Sequence, residues 1–178
     1  MSKLADATPE EVRLAMRRAK ESYGPFRTLS GRKRSSLLCR IAEKIKGSKE
    51  TLIQTAERET ALGEKRLGME LVRTVSEIER FADFARKEEW RNRQFESADP
   101  LRQPLPKPNM VTHRIPIGPV VVIGACNFPF AISVVGTDTI SALAVGCPVI
   151  VKSHPEHAQT CQSIADLVKE AIEENNSP

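Results

Sequence analysis

The chain has 178 residues, of which 40% are hydrophobic and 28% charged. This composition excludes wholesale disorder and fits one domain, or one domain with a smaller appendage. Its 27 basic and 23 acidic residues leave a net charge of +4, too balanced for a dedicated nucleic-acid binder. No apolar run is long enough for a membrane span, and the N-terminal stretch lacks the apolar centre of a signal peptide. Cys39, Cys126, Cys147 and Cys161 are far apart and form no C-x-x-C pair, a pattern expected of free thiols in a reducing cytoplasm.

Charge is concentrated in the first hundred residues, and four helices are expected there. Thr8-Pro9-Glu10-Glu11 reads as an N-cap, a first-turn proline and first-turn acids, opening a helix over 8–22 that Gly24-Pro25 should stop. Leu37, Leu38, Ile41, Ala42 and Ile45 share one face of a second helix over 31–46. A third helix is expected over 49–62, ending at Gly63, and a fourth from Gly68 through Ala85. Within this layer Arg32-Lys33-Arg34 is expected to be a solvated face; a phosphate-binding patch is the alternative, but interleaved acids and the lack of aromatic platforms weigh against it.

Pro100, Pro104, Pro106 and Pro108 then predict an extended, polyproline-like connector. Alternation over 110–117 predicts a half-exposed strand, with His113 on its apolar side in a structural role. Val120–Ile123 is a continuous β-branched run of the kind buried on both faces of a parallel sheet. Gly124 to Pro129 reads as a turn opening a helix that ends at Gly146. A second buried strand over 148–152 leads through Ser153-His154-Pro155 to a closing helix over 157–174. Strand, helix, strand, helix at these lengths is a βαβα unit. The predicted fold is therefore α/β: a helical part (1–97), a proline-rich connector with a strand (98–117), and a βαβα unit (118–178) of a Rossmann-like parallel sheet.

Ligands of open parallel sheets bind outside the carboxyl ends of the strands. Asn127, Lys152 and His154 are the notable polar residues of the two turns at those ends. A cation closing an apolar strand suits a nucleotide ribose or phosphate, and equally a lysine snorkelling at a sheet edge. Asn127 at a strand-to-helix turn is an oxyanion donor or, more commonly for asparagine there, an N-cap. Cys126 has no evident base beside it, and Cys147 and Cys161 look like packing residues.

Gly118-Pro-Val-Val-Val-Ile-Gly-Ala-Cys-Asn-Phe-Pro129 followed by Ser141-Ala-Leu-Ala-Val-Gly-Cys-Pro-Val-Ile-Val-Lys152 closely resembles the aldehyde dehydrogenase superfamily. The segment from Ala98 to Asn109, Phe128-Pro-Phe-Ala-Ile-Ser-Val and Lys152-Ser-His-Pro resemble the branch holding α-ketoglutarate semialdehyde (2,5-dioxovalerate) dehydrogenases and NADP-preferring fatty-aldehyde dehydrogenases. The resemblance spans essentially the whole chain. It implies oxidation of an aldehyde to an acid with NADP, or NAD, in a homo-oligomer. It implies that Asn127 donates to the oxyanion of a thiohemiacetal and that Lys152 contacts the adenosine ribose. Ile123, Gly124, Ala125 and Cys126 would line the cofactor groove. Many NAD-selective relatives carry an acid three residues after the lysine; here that position is Pro155. Lys152, Ser153 and His154 would then favour the extra phosphate of NADP, with Glu156 as the competing acid. The resemblance also implies an N-terminal portion, in which the 110–117 strand belongs to an oligomerisation element and 118–178 is the first βαβα unit of an incomplete sheet, with the nucleophilic cysteine, the general-base glutamate and the remaining sheet beyond Pro178. None of the four cysteines sits in the family's nucleophile motif, so the chain by itself is expected to be inactive; the alternative is a non-catalytic truncated relative that binds nucleotide weakly or associates with full-length homologues. Strands as apolar as 120–123 and 149–151, lacking part of their cover, are expected to leave the chain marginally stable.

Overall fold

A computed structural model describes residues 5–178. Its elements run α1 (Pro9–Thr28), α2 (Gly31–Gly47), α3 (Lys49–Thr60), α4 (Glu64–Lys87), β1 (Gln94–Glu96), β2 (Met110–Thr112), β3 (Val120–Ile123), α5 (Thr137–Val145), β4 (Val149–Lys152) and α6 (Ala158–Glu174). The expected helical layer beside a short parallel sheet is present.

The core lies between α2, α4 and α6. Leu38, Ile41 and Ile45 of α2 meet Leu67, Leu71 and Ile78 of α4 and Ile164 of α6, all fully buried with Phe130 and Ile140. The helix starts follow local chemistry. Thr8 and Glu11 form a reciprocal capping box on α1, and Ser30 Oγ accepts from Lys33 N to cap α2.

Several expectations need correction. Helix α1 does not stop at Gly24-Pro25 but runs on to Thr28. Proline forfeits one helical hydrogen bond, but tertiary contacts override it. Phe26 is buried in the core, Tyr23 Oη donates to the Pro116 carbonyl at 2.6 Å, and Thr28 Oγ1 donates to the Pro25 carbonyl. Helix α4 starts four residues early, at Glu64, because fully buried Leu67 belongs to its apolar face and donates its N–H to the Gly63 carbonyl.

Arg34 is buried rather than solvated. Its guanidinium donates to the carbonyls of Ala144 and Leu29 and to Glu88, and lies over the Trp90 ring. Those four partners consume the charge that the sequence pattern assigned to a surface, while Arg32 and Lys33 are exposed as expected.

The proline-rich segment is a closed loop, not an extended connector. Asp99 and Lys107 exchange backbone hydrogen bonds, and Asn109 Oδ1 accepts from Ala98 N, so the loop returns on itself between β1 and β2. Only 110–112 of the expected 110–117 strand is paired, antiparallel to 94–96; His113 beyond it is exposed.

β3 and β4 pair in parallel, Val120 opposite Val149 through Ile123 opposite Lys152. β3 is not buried on both faces: Val122 points into the protein, whereas Val121 and Ile123 are 61% and 70% exposed. Among the described residues the helices cover only one side of the sheet. The helix expected to open at 124–129 is delayed to Thr137. Residues 125–136 instead form a tight series of turns, in which a Cβ on Gly136 would lie 2.3 Å from the Ala131 carbonyl oxygen. Only glycine allows the chain to fold back so closely. α5 ends at Gly146 as expected, and a short 3-10 turn over Pro155–His157 precedes α6.

Candidate functional site

Parallel pairing brings the two predicted ligand turns together. Ile123 ends β3 directly opposite Lys152 at the end of β4, and Gly124 N donates to the Lys152 carbonyl at 3.0 Å. The candidate residues Ile123, Gly124, Ala125 and Cys126 therefore stand beside Lys152, Ser153, His154 and Pro155 at the carboxyl edge of the sheet. A Cβ on Gly124 would sit 3.4 Å from both His154 N and the Lys152 carbonyl oxygen, so the two turns lie in close backbone contact. Cys126 and Lys152 are exposed, and Ser153 and His154 half-buried. Among the described residues the Lys152 ammonium has no carboxylate within salt-bridge distance.

Asn127 is exposed on the turn after Cys126 and caps no helix, since α5 begins ten residues later with Gly136 as its N-cap. This corrects the capping alternative. The Asn127 carboxamide makes no hydrogen bond among the described residues, while its backbone carbonyl accepts from Arg66 Nη2.

Three side chains from outside the turn hold it. Glu70, buried on α4, accepts from Phe130 N at 2.8 Å and Ala131 N at 2.9 Å through a single oxygen. One turn earlier, Arg66 places its guanidinium 5.0 Å from the centre of the Phe128 ring as it reaches the Asn127 carbonyl. From the opposite side His157, wholly buried, contacts the Ala125 carbonyl through Nε2 at 2.8 Å and Cys161 Sγ through Nδ1 at 3.2 Å. Burial opposes a charge on His157, but the Cys161 thiol and the Ala125 carbonyl outweigh it and hold the pKa above the usual histidine value.

None of these three was singled out from the sequence. Glu70 and Arg66 look like ordinary members of a charged helix, and their role depends on a contact some sixty residues along the chain. His157 carried the only local signal, a histidine at the start of a helix that follows a strand-end turn. Glu59 is a fourth case. Its carboxylate accepts from Gln159 N, Thr160 N and Thr160 Oγ1 at 2.7–2.9 Å, capping α6 from α3 and fixing the His157 segment.

The arrangement offers an exposed amide donor and an exposed cation on adjacent parallel strand ends. Residues 1–176 match the sequence profile of the aldehyde dehydrogenase family. The chain is 37% identical over 172 residues to alpha-ketoglutaric semialdehyde dehydrogenase 2 of Azospirillum brasilense, covering 97% of this chain and 33% of that protein. It is 33% identical over 174 residues to an alpha-ketoglutaric semialdehyde dehydrogenase of Acinetobacter baylyi, covering 98% and 33%. The chain thus spans about a third of the length of the curated relatives it matches. In three dimensions it is similar to aldehyde dehydrogenase 21 of Physcomitrella patens, solved in complex with the reaction product succinate, with a TM-score of 0.83 at 20% identity over 97% of this chain and 34% of that one. Succinic semialdehyde dehydrogenase of Streptococcus pyogenes, solved with NADP+, shares the fold at a TM-score of 0.78 and 15% identity, over 96% of this chain and 35% of that one. The chain belongs to the aldehyde dehydrogenase family.

Proposed function

We propose that this chain supplies the oxyanion donor and part of the nucleotide groove of an NADP-preferring dehydrogenase that oxidises 2,5-dioxopentanoate, or a similar short aldehyde, to its acid. The observation that carries the proposal is the freedom of the Asn127 carboxamide. Its turn is fixed through backbone atoms by Glu70, Arg66 and His157, so its Cα is held in place while the exposed carboxamide is unspent. A carboxamide N–H at such a position is available to donate to negative charge as it develops on an aldehyde oxygen.

The residues present fit a dinucleotide. Ile123 and Lys152 end adjacent parallel strands, and among the described residues Lys152 offers there an exposed cation with no carboxylate partner. When bound, the nicotinamide supplies the hydride acceptor. Pro155 puts no carboxylate where a 2′-phosphate would be repelled, and the competing acid, Glu156, lies in the 3-10 turn with its backbone N–H donated to His154 Nδ1. Lys152, Ser153 and His154 bind the ribose and its phosphate. By family resemblance the nucleophilic cysteine lies outside residues 1–178. The β1–β2 pair, with Phe95 opposite Val111 and both exposed, is the proposed oligomerisation element.

The test is a hybrid in which residues 1–178 replace the matching segment of the A. brasilense enzyme. It should reduce NADP+ with 2,5-dioxopentanoate, and Asn127→Ala should lower kcat about 100-fold. An unaffected kcat in Asn127→Ala overturns the oxyanion assignment. A higher kcat/KM for NAD+ than for NADP+, reversed by Glu156→Gln, overturns the assignment of Pro155 as the discriminating position.

A further inference from the structure

We infer that His157 is a positioning residue that locks the Asn127 turn in register with the Lys152 turn. This rests on the oxyanion role proposed for Asn127. His157 belongs to the segment that follows β4, yet its ring crosses beneath the end of β3 to the Ala125 carbonyl, two residues before Asn127. On the other side it stacks on His154, ring centres 5.6 Å apart and planes 24° from parallel, and His154 is two residues from Lys152. One buried ring therefore touches both ligand turns.

The bond to Ala125 survives a change of protonation. A carbonyl only accepts, so Nε2 must carry hydrogen. In neutral His157 that leaves Nδ1 to accept from the Cys161 thiol at 3.2 Å, and in charged His157 Nδ1–H points at the same sulfur. Ser133 Oγ, 3.0 Å from Cys161 Sγ, supplies that thiol with a further partner, and Glu59 caps the adjoining start of α6. The ring is thus held in one orientation by groups that do not themselves reach the cleft. Because Asn127 uses no side-chain bond to fix itself, its placement depends on such remote contacts.

The experiment uses the hybrid enzyme and three variants. His157→Phe keeps a ring and removes the donor; kcat should fall about tenfold while the aldehyde KM stays within about twofold, as expected when geometry at the reacting atom is lost but binding is not. His157→Gln, whose Nε2 can reach the same carbonyl, should recover to within about threefold of the parent. His157→Asn, polar but too short to reach it, repeats the loss and substitutes for the phenylalanine variant should that one fail to fold. On an Asn127→Ala background, His157→Phe should cost nothing further, because the residue acts through Asn127. A second readout needs no turnover: the Ala125 N–H is held by the Ile132 carbonyl at 3.0 Å, and its hydrogen exchange should speed up about fivefold in His157→Phe and not in His157→Gln. Unchanged exchange in His157→Phe overturns the inference, as does an undiminished tenfold loss on the Asn127→Ala background. Full activity of Asn127→Ala alone overturns the oxyanion role instead and leaves the exchange result to decide whether His157 fixes the turn.

Discussion

Replacing Glu70 tests directly how the Asn127 turn is held. One carboxylate oxygen accepts two backbone N–H groups, at 2.8 and 2.9 Å, from consecutive residues of a segment with no helix or strand to satisfy them. Glu70→Ala leaves the Phe130 and Ala131 N–H groups without that acceptor, Phe130 being fully buried. At about 1–3 kcal/mol for each stranded donor, and with Ala131 near enough to the surface to recruit water, the local cost is about 3 kcal/mol. Glu70→Gln keeps an acceptor oxygen in place but turns an amide N–H₂ toward the Arg66 guanidinium, 3.8 Å from the other carboxylate oxygen, and should cost about 1 kcal/mol. Amide hydrogen exchange of the peptide spanning 125–136 in the hybrid enzyme separates this local opening from global unfolding. Exchange at Phe130 and Ala131 should speed up about 100-fold in Glu70→Ala and about fivefold in Glu70→Gln, since about 1.4 kcal/mol is a factor of ten. Equal protection in the parent and Glu70→Ala would refute the argument, because it would mean the turn is held by its own internal bonds.

Three further outcomes are expected. Glu59→Ala removes the shared cap of α6 and should destabilise the fold by about 1–2 kcal/mol, read from the urea midpoint, with Glu59→Gln losing less; no change in midpoint would show that water caps the helix equally well. Glu174, hydrogen-bonded by Lys44 with the charge of Arg40 nearby, and Asp83, hydrogen-bonded by Lys87 and Arg86, have carboxyl pKa values held below their ordinary 4.5 and 3.8, so their contribution is present above these values and disappears as pH falls through the lowered ones. The melting temperature should therefore drop below pH about 4, and Lys44→Met should flatten that drop. The 178-residue chain alone should show no aldehyde oxidation and should associate through its uncovered sheet face, where Val121 and Ile123 are exposed; a monodisperse monomer by sedimentation contradicts the second statement.

The elements with strong local signals were legible in the sequence. The Thr8 capping box, the apolar stripe of α2, the β-branched runs of β3 and β4 and the stop at Gly146 all appear where they were expected. The misplaced elements share one cause. Gly24-Pro25 is a helix stop by local chemistry, yet burial of Phe26 carries α1 onward. Arg34 belongs by charge to a surface, yet Glu88, Trp90 and two carbonyls draw it inside. In the proline-rich loop, backbone bonds between Asp99 and Lys107 close what composition reads as extended. For α1 and Arg34 a partner distant in sequence settles the outcome, and in the loop a pairing eight residues apart does.

The candidate site shows the same division in its chemistry. Asn127 and Lys152 were visible because their residue types are unusual beside apolar strands. The supporting residues were not, because Glu59, Arg66 and Glu70 are common helix-surface types that act through single long-range bonds. The structure also explains why a delayed helix suits the proposed chemistry. Had α5 begun at Asn127, its carboxamide oxygen would have capped the first turn, fixing the side chain against its own backbone. With the helix starting at Thr137, the backbone groups of 125–131 are instead satisfied by Glu70, Arg66, His157 and the Ile132 carbonyl, which accepts from Ala125 N. The burden of holding the turn is shifted onto buried residues of α4 and the α6 entry, and the one amide needed at the cleft is left unoccupied. The backbone that carries this donor is held by residues that never touch the ligand, so substitutions at Glu70 or His157 should act on the reaction through Asn127 alone.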